Sequence, residues 1–585
     1  MYILGLNAFH GDSSACLFKN GKLIAAAEEE RFRRIKHWAG FPSEAIKWCL
    51  TDASIDLKDL DFISINQNIK ANFFKKIFYT FGKRPKFNML LDRFQNKRKR
   101  LDIKSYLSES FPNSKFHGSI EYVEHHLSHL SSAFHVSPFN EAIVVSIDGF
   151  GDFASSAWGV GNGIKIDVED RVYFPHSLGI FYQALTQFLG FHNYGDEYKI
   201  MGLAPYGKPT YINSMRKIVK LKSNGSFELN LDFFRHHIDK INYQWQNGSP
   251  NFECLFSSEL EKVLGPARKK NEKITERHKN IASSVQLAYE ETFFHLLNKL
   301  HKKYNLSNLT IAGGCGMNSV ANGKVLLKTP FKKIYVQAAA GDAGGAIGAA
   351  LITWYKRGGK NAIKRSDLHS HAYWGPSYKN EYIEEMLKLQ KNKIKNENFI
   401  VKGFSEYSKL AKSTARDIAE GKVIGWFQGR MEWGPRALGN RSILGDPRRS
   451  DMKDILNIKI KRRESFRPFA PSILRESVSE WFEQNDDVPF MMQVFQIKNE
   501  KRIAVPAITH VDGSGRLQTV DKNSNYRYYE LINEFYKLTK VPMLLNTSFN
   551  ENEPVVCKPE EALETFLRTK MDILVLNNWK IERKK

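Results

Sequence analysis

The strongest constraint on the fold of this chain is a repeat. Ile3 to Leu6 reads as a strand, a turn follows at His10-Gly11-Asp12, Ser14 to Phe18 reads as a second strand, and Leu23 to Ala27 returns as a third after Asn20-Gly21. Asn-Gly between strand-like runs signals a hairpin, because both residues tolerate the left-handed backbone that a two-residue turn demands. The arrangement recurs as Val144 to Ile147, a turn over Asp148 to Phe153, Ser155 to Trp158, and a hairpin at Gly161-Asn162-Gly163. Both copies end the first strand in a polar residue, Asn7 or Asp148, then place glycine and aspartate, then Ser-Ser-Ala. A unit duplicated in this way predicts two like α/β halves with a ligand held between them.

The repeated unit resembles the actin, sugar kinase and Hsp70 ATPase superfamily, in which two glycine turns face each other across a cleft. Candidate metal ligands fall in the same region. His125 and His129 stand four apart in VEHHLSHLSSAF, a run that opens as a helix, so both imidazoles project from one face. HxxxH lacks the glutamate that makes HExxH specific. Its neighbours add weight: Asp148 follows the strand-like run Ala142 to Ile147, and Asp342 sits in the glycine-rich AAAGDAGG. Two histidines with one or two aspartates suit iron, zinc or manganese, with positions left open for a substrate.

Further along, a strand at Thr310 to Ala312 runs into Gly313-Gly314-Cys315-Gly316, and Met317-Asn318 opens a helix. That order predicts an anion or nucleotide platform, with unpaired backbone N–H groups aimed at the ligand. Gly195 to Gly207, GDEYKIMGLAPYG, reads as a loop approaching a ligand with Glu197 and Lys199. Lys356 to Lys402 is rich in lysine, glycine and asparagine, which places a connection over residues 366–404 between domains at 1–365 and 405–585. The second domain opens with a helix, Tyr407 to Glu420, and a strand, Val423 to Phe427. Its cationic constellation follows: Arg430, Arg436 and Arg441 in GRMEWGPRALGNRSIL, Lys461, Arg463 and Arg467 in KIKRRESFRPFAP, and Arg516 in GSGRLQTV. A strand from Val541 to Leu545 leads to Asn546. Arginines set among glycine and proline are not an exposed helical stripe, and their fork suits phosphate or carboxylate, so a triphosphate or acyl phosphate site is expected.

A chain of 585 residues has room for two to four domains. Its five cysteines, Cys16, Cys49, Cys254, Cys315 and Cys557, form no CxxC pair, which excludes a zinc finger or disulfide framework as the organising device. There is no apolar run of about 18 residues and no signal-peptide pattern at the start, so a cytoplasmic protein without a transmembrane segment is expected. The net charge of +24 is read mainly as solvated basic faces, and nucleic acid is not the expected partner. Its densest stretch, about residues 69–104, interleaves lysine and arginine with phenylalanine. An amphipathic insertion packed on the domain is favoured there over contact with nucleic acid or anionic lipid.

The motifs HGDSSACLF, AAAEEERFRRIKH, VEHHLSHLSSAF, IDGFGD, YKIMGLAPYG, AGGCGMN, AAGDAGGAIGAA, GRMEWGPRALGNRSIL, KRRESFRPFAP and LLNTSFNENEP occur in this order over nearly the whole chain. In them the chain resembles the carbamoyltransferases of the NodU, CmcH and TobZ family. The resemblance implies an N-terminal domain related to the enzyme that completes threonylcarbamoyl-adenosine in tRNA, and a C-terminal YrdC-like domain. It implies His125, His129 and Asp342 as metal ligands, with Asp148 a further candidate, and iron as the metal, manganese and zinc being the alternatives. Arg430, Arg436, Arg441, Lys461, Arg463, Arg467, Arg516 and Asn546 would bind ATP, brought with Mg2+, and carbamoyl phosphate. The product there would be carbamoyl adenylate, held in the first domain by Gly313, Gly314, Asn318 and Lys199.

The acceptor would be a hydroxyl of a sugar, glycan or natural product, and His10, Asp12, Lys36 and His37 are the candidates to take its proton. Two other readings stand beside this one: a threonylcarbamoyl-adenosine enzyme acting on tRNA, and a non-catalytic nucleotide-switched protein that binds nucleic acid or glycan. A hydrogenase-maturation carbamoyltransferase fits less well, since the chain lacks an acylphosphatase domain and cysteine-rich zinc modules. A homodimer is reasonable for a protein of this size.

Overall fold

The computed structural model describes residues 1–83, 102–239, 243–246, 248–359, 368–390 and 399–583. They form two compact units, Met1–His369 and Ser370–Lys585. Half of the basic stretch at 69–104, residues 84–101, lies outside the described residues.

The first unit contains the repeat as two five-stranded sheets. In the first sheet Tyr2–Asn7 lies between antiparallel Ser14–Lys19 and parallel Phe62–Ile65, with Lys22–Glu28 and Ser119–Tyr122 at the edges. The second sheet repeats the order: Glu141–Gly151 lies between antiparallel Ala154–Asn162 and parallel Asn308–Ala312, with Lys165–Tyr173 and Lys333–Val336 at the edges. Three antiparallel strands followed by two parallel ones, twice over, is the duplicated α/β architecture expected from the sequence. One detail differs. Asn7 stands opposite Ser14, but Ile147 stands opposite Ser156, and Asp148 falls where the strand pair loses register. The ladder therefore equates Asn7 with Ile147, one residue before Asp148.

Two helices cross between the sheets. His125–Phe134 packs on the second sheet, Gly345–Lys356 packs on the first, and the helices pack on each other. Small residues make this contact possible: a Cβ on Gly348 would lie 1.8 Å from the Ser128 carbonyl oxygen, and one on Gly5 would lie 2.2 Å from that of Ala346. Serines hold the seam where bulkier side chains would not fit. Ser131 Oγ donates to the Gly348 carbonyl at 3.0 Å, Ser14 Oγ to that of Ala343 at 3.0 Å, and Ser64 Oγ to Thr353 Oγ1 at 2.7 Å. The Gly-Ala-Ser richness of these motifs thus serves backbone approach, and it brings the N-terminal ends of the two helices together.

The second unit is built on an eight-stranded sheet. From one edge the order is Phe399–Gly403, Trp579–Arg583, Ile573–Leu576, Ile424–Phe427, Arg441–Gly445, Met543–Ser548, Ala470–Leu474 and Gln518–Val520. Ile573–Leu576 (ILVL) and Ile424–Phe427 (IGWF) are buried along their whole length, as strands covered on both faces must be. The expected connection over 366–404 is largely part of this unit. Helix Asn380–Leu389 buries Ile383, Met386 and Leu387 in its core, and Phe399–Gly403 forms its edge strand. Lysine-rich composition misled there because an edge strand exposes most of its side chains.

Candidate functional site

At the head of helix His125–Phe134 the Glu124 side chain accepts the Leu127 N–H at 2.7 Å and caps the first turn. One turn apart, His125 and His129 bring their Nε2 atoms to 3.0 Å from each other. His126, between them, faces Ser146 Oγ at 2.9 Å instead. Asp148 Oδ2 lies 3.2 Å from His125 Nε2 and 3.0 Å from His129 Nε2, while Asp342 Oδ1 lies 3.5 and 3.4 Å from the same atoms. All four residues thus point one ligand atom at a common centre.

The donor set fits a divalent metal. Ligands of one ion at roughly 2.0–2.2 Å are themselves separated by about 3–3.5 Å, which matches the distances here. Two ring nitrogens in hydrogen-bond range of each other and of two carboxylates cannot all be satisfied by protons alone, and Asp342 Oδ1 has no hydrogen-bond partner among the described residues. The local charge is also negative. Burial opposes a charged imidazole, yet Asp148 and Asp342 push His125 up to about 10. Burial, reinforced by the Asp148 charge, raises the Asp342 carboxyl. Burial opposes ionisation of Asp148 as well, but His125 and His129 hold it well below the usual carboxylate range.

The glycine-rich turn after Asn308–Ala312 belongs to this centre in a way the sequence did not predict. Asp148 Oδ1 accepts the Gly314 N–H at 3.0 Å, the Gly313 N–H goes to the Ala340 carbonyl at 2.7 Å, and the Gly316 N–H goes to that of Gly313 at 2.9 Å. These three donors are engaged within the chain. Gly313 has φ +87°, and its Cβ would lie 2.2 Å from the Ile147 carbonyl oxygen. Asn318 caps the next helix through Ala321 N–H at 3.1 Å and is paired with Gln286. The expected loop with Glu197 and Lys199 is helical, Glu197–Leu203, and Lys199 pairs with Asp196 at 3.0 Å.

The first glycine turn gathers the proposed proton-handling residues. The His10 ring stacks on His125 at 5.1 Å between centroids. Asp12 Oδ1 lies 2.7 Å from His37 Nδ1, and Glu30 Oε2 accepts the His37 backbone N–H at 2.7 Å. Asp12, Glu30 and His37 also stand close enough to share a cation, but Arg31 already lies 2.5 Å from Glu30 Oε1. Burial would lower His37, yet Asp12 and Glu30 push it up to about 9. Burial pushes Glu197, which feels the His37 and Asp12 charges, up to about 7. Lys36 is exposed beside the turned-in His37. Glu30 was missed in the sequence, although its place in the run Glu28-Glu29-Glu30, all three buried in the structure, was the available signal.

In the second unit the expected cations separate into two groups. Burial, then Arg436, Arg463 and Arg467, drive Arg516 well below the usual guanidinium range, so four arginines converge on one place. Arg516 Nε has no hydrogen-bond partner among the described residues. Arg463 stacks on Phe469 at 4.5 Å and donates to Asn457 Oδ1 at 3.1 Å. Arg441 and Lys461 do something else. Arg441 is fully buried, lies 3.6 Å over the Phe427 ring, and donates to the carbonyls of Gln428, Asn440 and Pro376 at 2.6, 3.0 and 3.0 Å. Lys461 is buried and donates to the carbonyls of Ser548 and Asn550 at 2.6 and 2.8 Å. Both hold loops in place. Arg430 donates to the Trp374 carbonyl at 3.0 Å, and Asn546 donates to Ser472 Oγ at 3.0 Å from within the sheet. Glu432, which sequence reasoning passed over, organises the arginine loop by accepting the N–H groups of Leu438, Asn440 and Arg441 at 2.7, 2.8 and 3.1 Å.

A duplicated α/β unit with a His2Asp2 centre, followed by an α/β unit with converging arginines, defines a two-unit group-transfer enzyme. Residues 2–351 match the family described as Carbamoyltransferase N-terminus and residues 415–583 match Carbamoyltransferase C-terminus, so the chain belongs to the carbamoyltransferase family. It is similar to Nodulation protein NolNO of Sinorhizobium fredii, 38% identical over 99% of this chain and 80% of that protein. It is also similar to Nodulation protein NolO of Bradyrhizobium diazoefficiens, 40% identical over 79% of each. Among solved structures, T.kodakarensis HypF aligns over 63% of this chain and 49% of its own at 15% identity with a TM-score of 0.31, too distant to inform activity. No helix among the described residues is long and apolar enough to cross a membrane.

Proposed function

We propose that this carbamoyltransferase is ATP-dependent and works in two stages. The YrdC-like second unit converts carbamoyl phosphate, ATP and water into carbamoyl adenylate, phosphate and pyrophosphate, and the first unit passes the carbamoyl group to a hydroxyl of a sugar, glycan or natural product with release of AMP. The observation that carries this reading is the convergence of Arg436, Arg463, Arg467 and Arg516. Four like charges gathered at a partly buried place are offset by a polyanion, and two phosphorylated substrates provide one.

The chemistry explains why activation comes first. Nitrogen donation makes a carbamoyl carbonyl a sluggish electrophile, and attachment of AMP provides a better leaving group. A divalent ion at His125, His129, Asp148 and Asp342, iron in the first instance, would supply Lewis acidity toward an oxygen of the donor. Around it, Asp148 positions the Gly314 turn through its second oxygen. His10, stacked on His125, would take the proton of the acceptor hydroxyl. Asp12 holds His37 as an imidazolium and fixes the turn that carries His10.

The deciding measurement is pyrophosphate release by purified protein given ATP and carbamoyl phosphate. Release that needs carbamoyl phosphate and disappears in Arg516→Gln supports the proposal, whereas no release from the wild-type protein sinks it. The +24 charge favours a tRNA substrate as the second reading. It predicts that bicarbonate plus threonine, and not carbamoyl phosphate, drives the release.

A further inference from the structure

Helix Phe73–Lys83 carries Phe73, Phe74, Phe78 and Phe81 at 56%, 74%, 72% and 78% exposure. Three of them, Phe74, Phe78 and Phe81, follow the i, i+4, i+7 spacing of a single helical stripe. The opposite side is anchored on the first unit. Tyr79 packs edge-on against Phe153 and Phe174 with ring centroids 5.8 and 5.1 Å away, and Lys76 Nζ donates to the carbonyls of Ile69 and Ala71 at 3.0 and 2.6 Å. The helix is thus fixed with its aromatic stripe outward. Four neighbouring phenylalanines exposed to water are not ordinary surface scatter.

The charge of the sequence that carries the stripe says what covers it. Eleven lysines and arginines against two aspartates fall between Phe73 and Lys104. Lys75 is exposed on the helix itself and lies over the Tyr173 ring at 5.1 Å. A second copy of the chain would bring the same positive charge to the contact and be repelled. An apolar peptide partner would leave the cations without a counterpart. A bilayer containing anionic lipids meets both demands, with rings at the acyl boundary and cations among the phosphates.

We propose that this helix is an interfacial anchor that seats the protein on an anionic lipid bilayer. The anchor is tied to the metal centre. Asp152 Oδ2 accepts the backbone N–H of Asn68 at 2.7 Å, just before the helix, and that of His125 at 2.9 Å, at the head of the ligand-bearing helix. Asn72 Nδ2 also donates to the Asp152 carbonyl at 2.9 Å. The docking itself does not depend on the carbamoyl chemistry.

The test is sedimentation of the full-length protein with vesicles of phosphatidylcholine alone or of phosphatidylcholine and phosphatidylglycerol at about three to one. The expected result is binding to the anionic vesicles only, weakened about tenfold or more in Phe74→Ser/Phe78→Ser. Circular dichroism and carbamoyl phosphate dependent pyrophosphate release stay unchanged in that variant. Lack of wild-type binding to the anionic vesicles overturns the proposal, as does equal binding by wild type and variant. A wild-type dimer that dissociates in the variant without any vesicle binding assigns the stripe to a second copy instead. Vesicle binding that persists in the variant and is abolished by single-stranded nucleic acid assigns the basic stretch to a polyanion.

Discussion

Gly195 stands where a Cβ would lie 2.4 Å from Nε2 of His37, in a backbone conformation of φ +83° that side chains rarely adopt. The glycine therefore allows His37 to reach Asp12 beneath it. Gly195→Ala is expected to displace the imidazole, lower the rate of carbamoyl transfer and leave pyrophosphate release intact. Strain of about 1–3 kcal/mol is typical of such positions. Measuring both half-reactions on one preparation checks this, and equal loss of both contradicts it.

The His37–Asp12 pair also sets a pH dependence. The neighbours of His37 are Asp12, Glu30, Lys36, Tyr194 and Glu197, and their balance raises the imidazole to about 9. In an unfolded chain histidine titrates near about 6.5. A folded pKa above the unfolded one stabilises fully below about pH 6.5 and loses that contribution as the pH rises through about 9. The Tm difference between wild type and His37→Gln should accordingly be largest near pH 6.5 and narrow by pH 9.5. A gap constant over that range would show that the pair is not an ion pair.

For the metal centre, Asp148→Asn keeps an oxygen for the Gly314 N–H while removing the charge between the imidazoles. Bound metal in the purified protein, read by elemental analysis, should fall by about tenfold or more. His125→Ala/His129→Ala should abolish metal binding and transfer while sparing pyrophosphate release, because the proposal assigns adenylate formation to the other unit. Full transfer by the double variant would remove the metal from the mechanism.

Arg516 and Arg441 should respond in opposite ways. Arg516→Gln relieves repulsion among four guanidinium groups, so Tm should rise, by about 2–4 °C for each ~1 kcal/mol relieved, while pyrophosphate release is lost. Arg441→Met leaves buried carbonyls without their donor and should destabilise the second unit by roughly 3–5 kcal/mol. Thermal melting of both variants, with and without added pyrophosphate, separates a ligand-binding arginine from a scaffolding one. Pyrophosphate should stabilise wild type and not Arg516→Gln.

The contrast between these two arginines also shows where sequence reasoning stops. Both sit in glycine-containing stretches with the same local composition, and their roles diverge because Arg441 begins an interior strand of the eight-stranded sheet, a long-range fact. The duplicated sheets were legible because hairpin turns and the Ser-Ser-Ala phase are local signals. The pairing of His125 with His129 was legible because helical spacing alone puts them on one face. The offset between Asn7 and Asp148 was not, since the break in register depends on partner strands. The Gly313–Gly314 turn looked open because only the folded chain brings Asp148 and Ala340 to its N–H groups.

The imidazoles and Asp342 come from helices more than two hundred residues apart that touch backbone to backbone at Gly348 and Ser128. An ion held by both would act as a removable rivet between the duplicated halves, closing one very long loop of the chain. Chelation would then do more than silence chemistry: it would release the grip of one half on the other, so metal supply and the lifetime of the folded first unit become a single quantity.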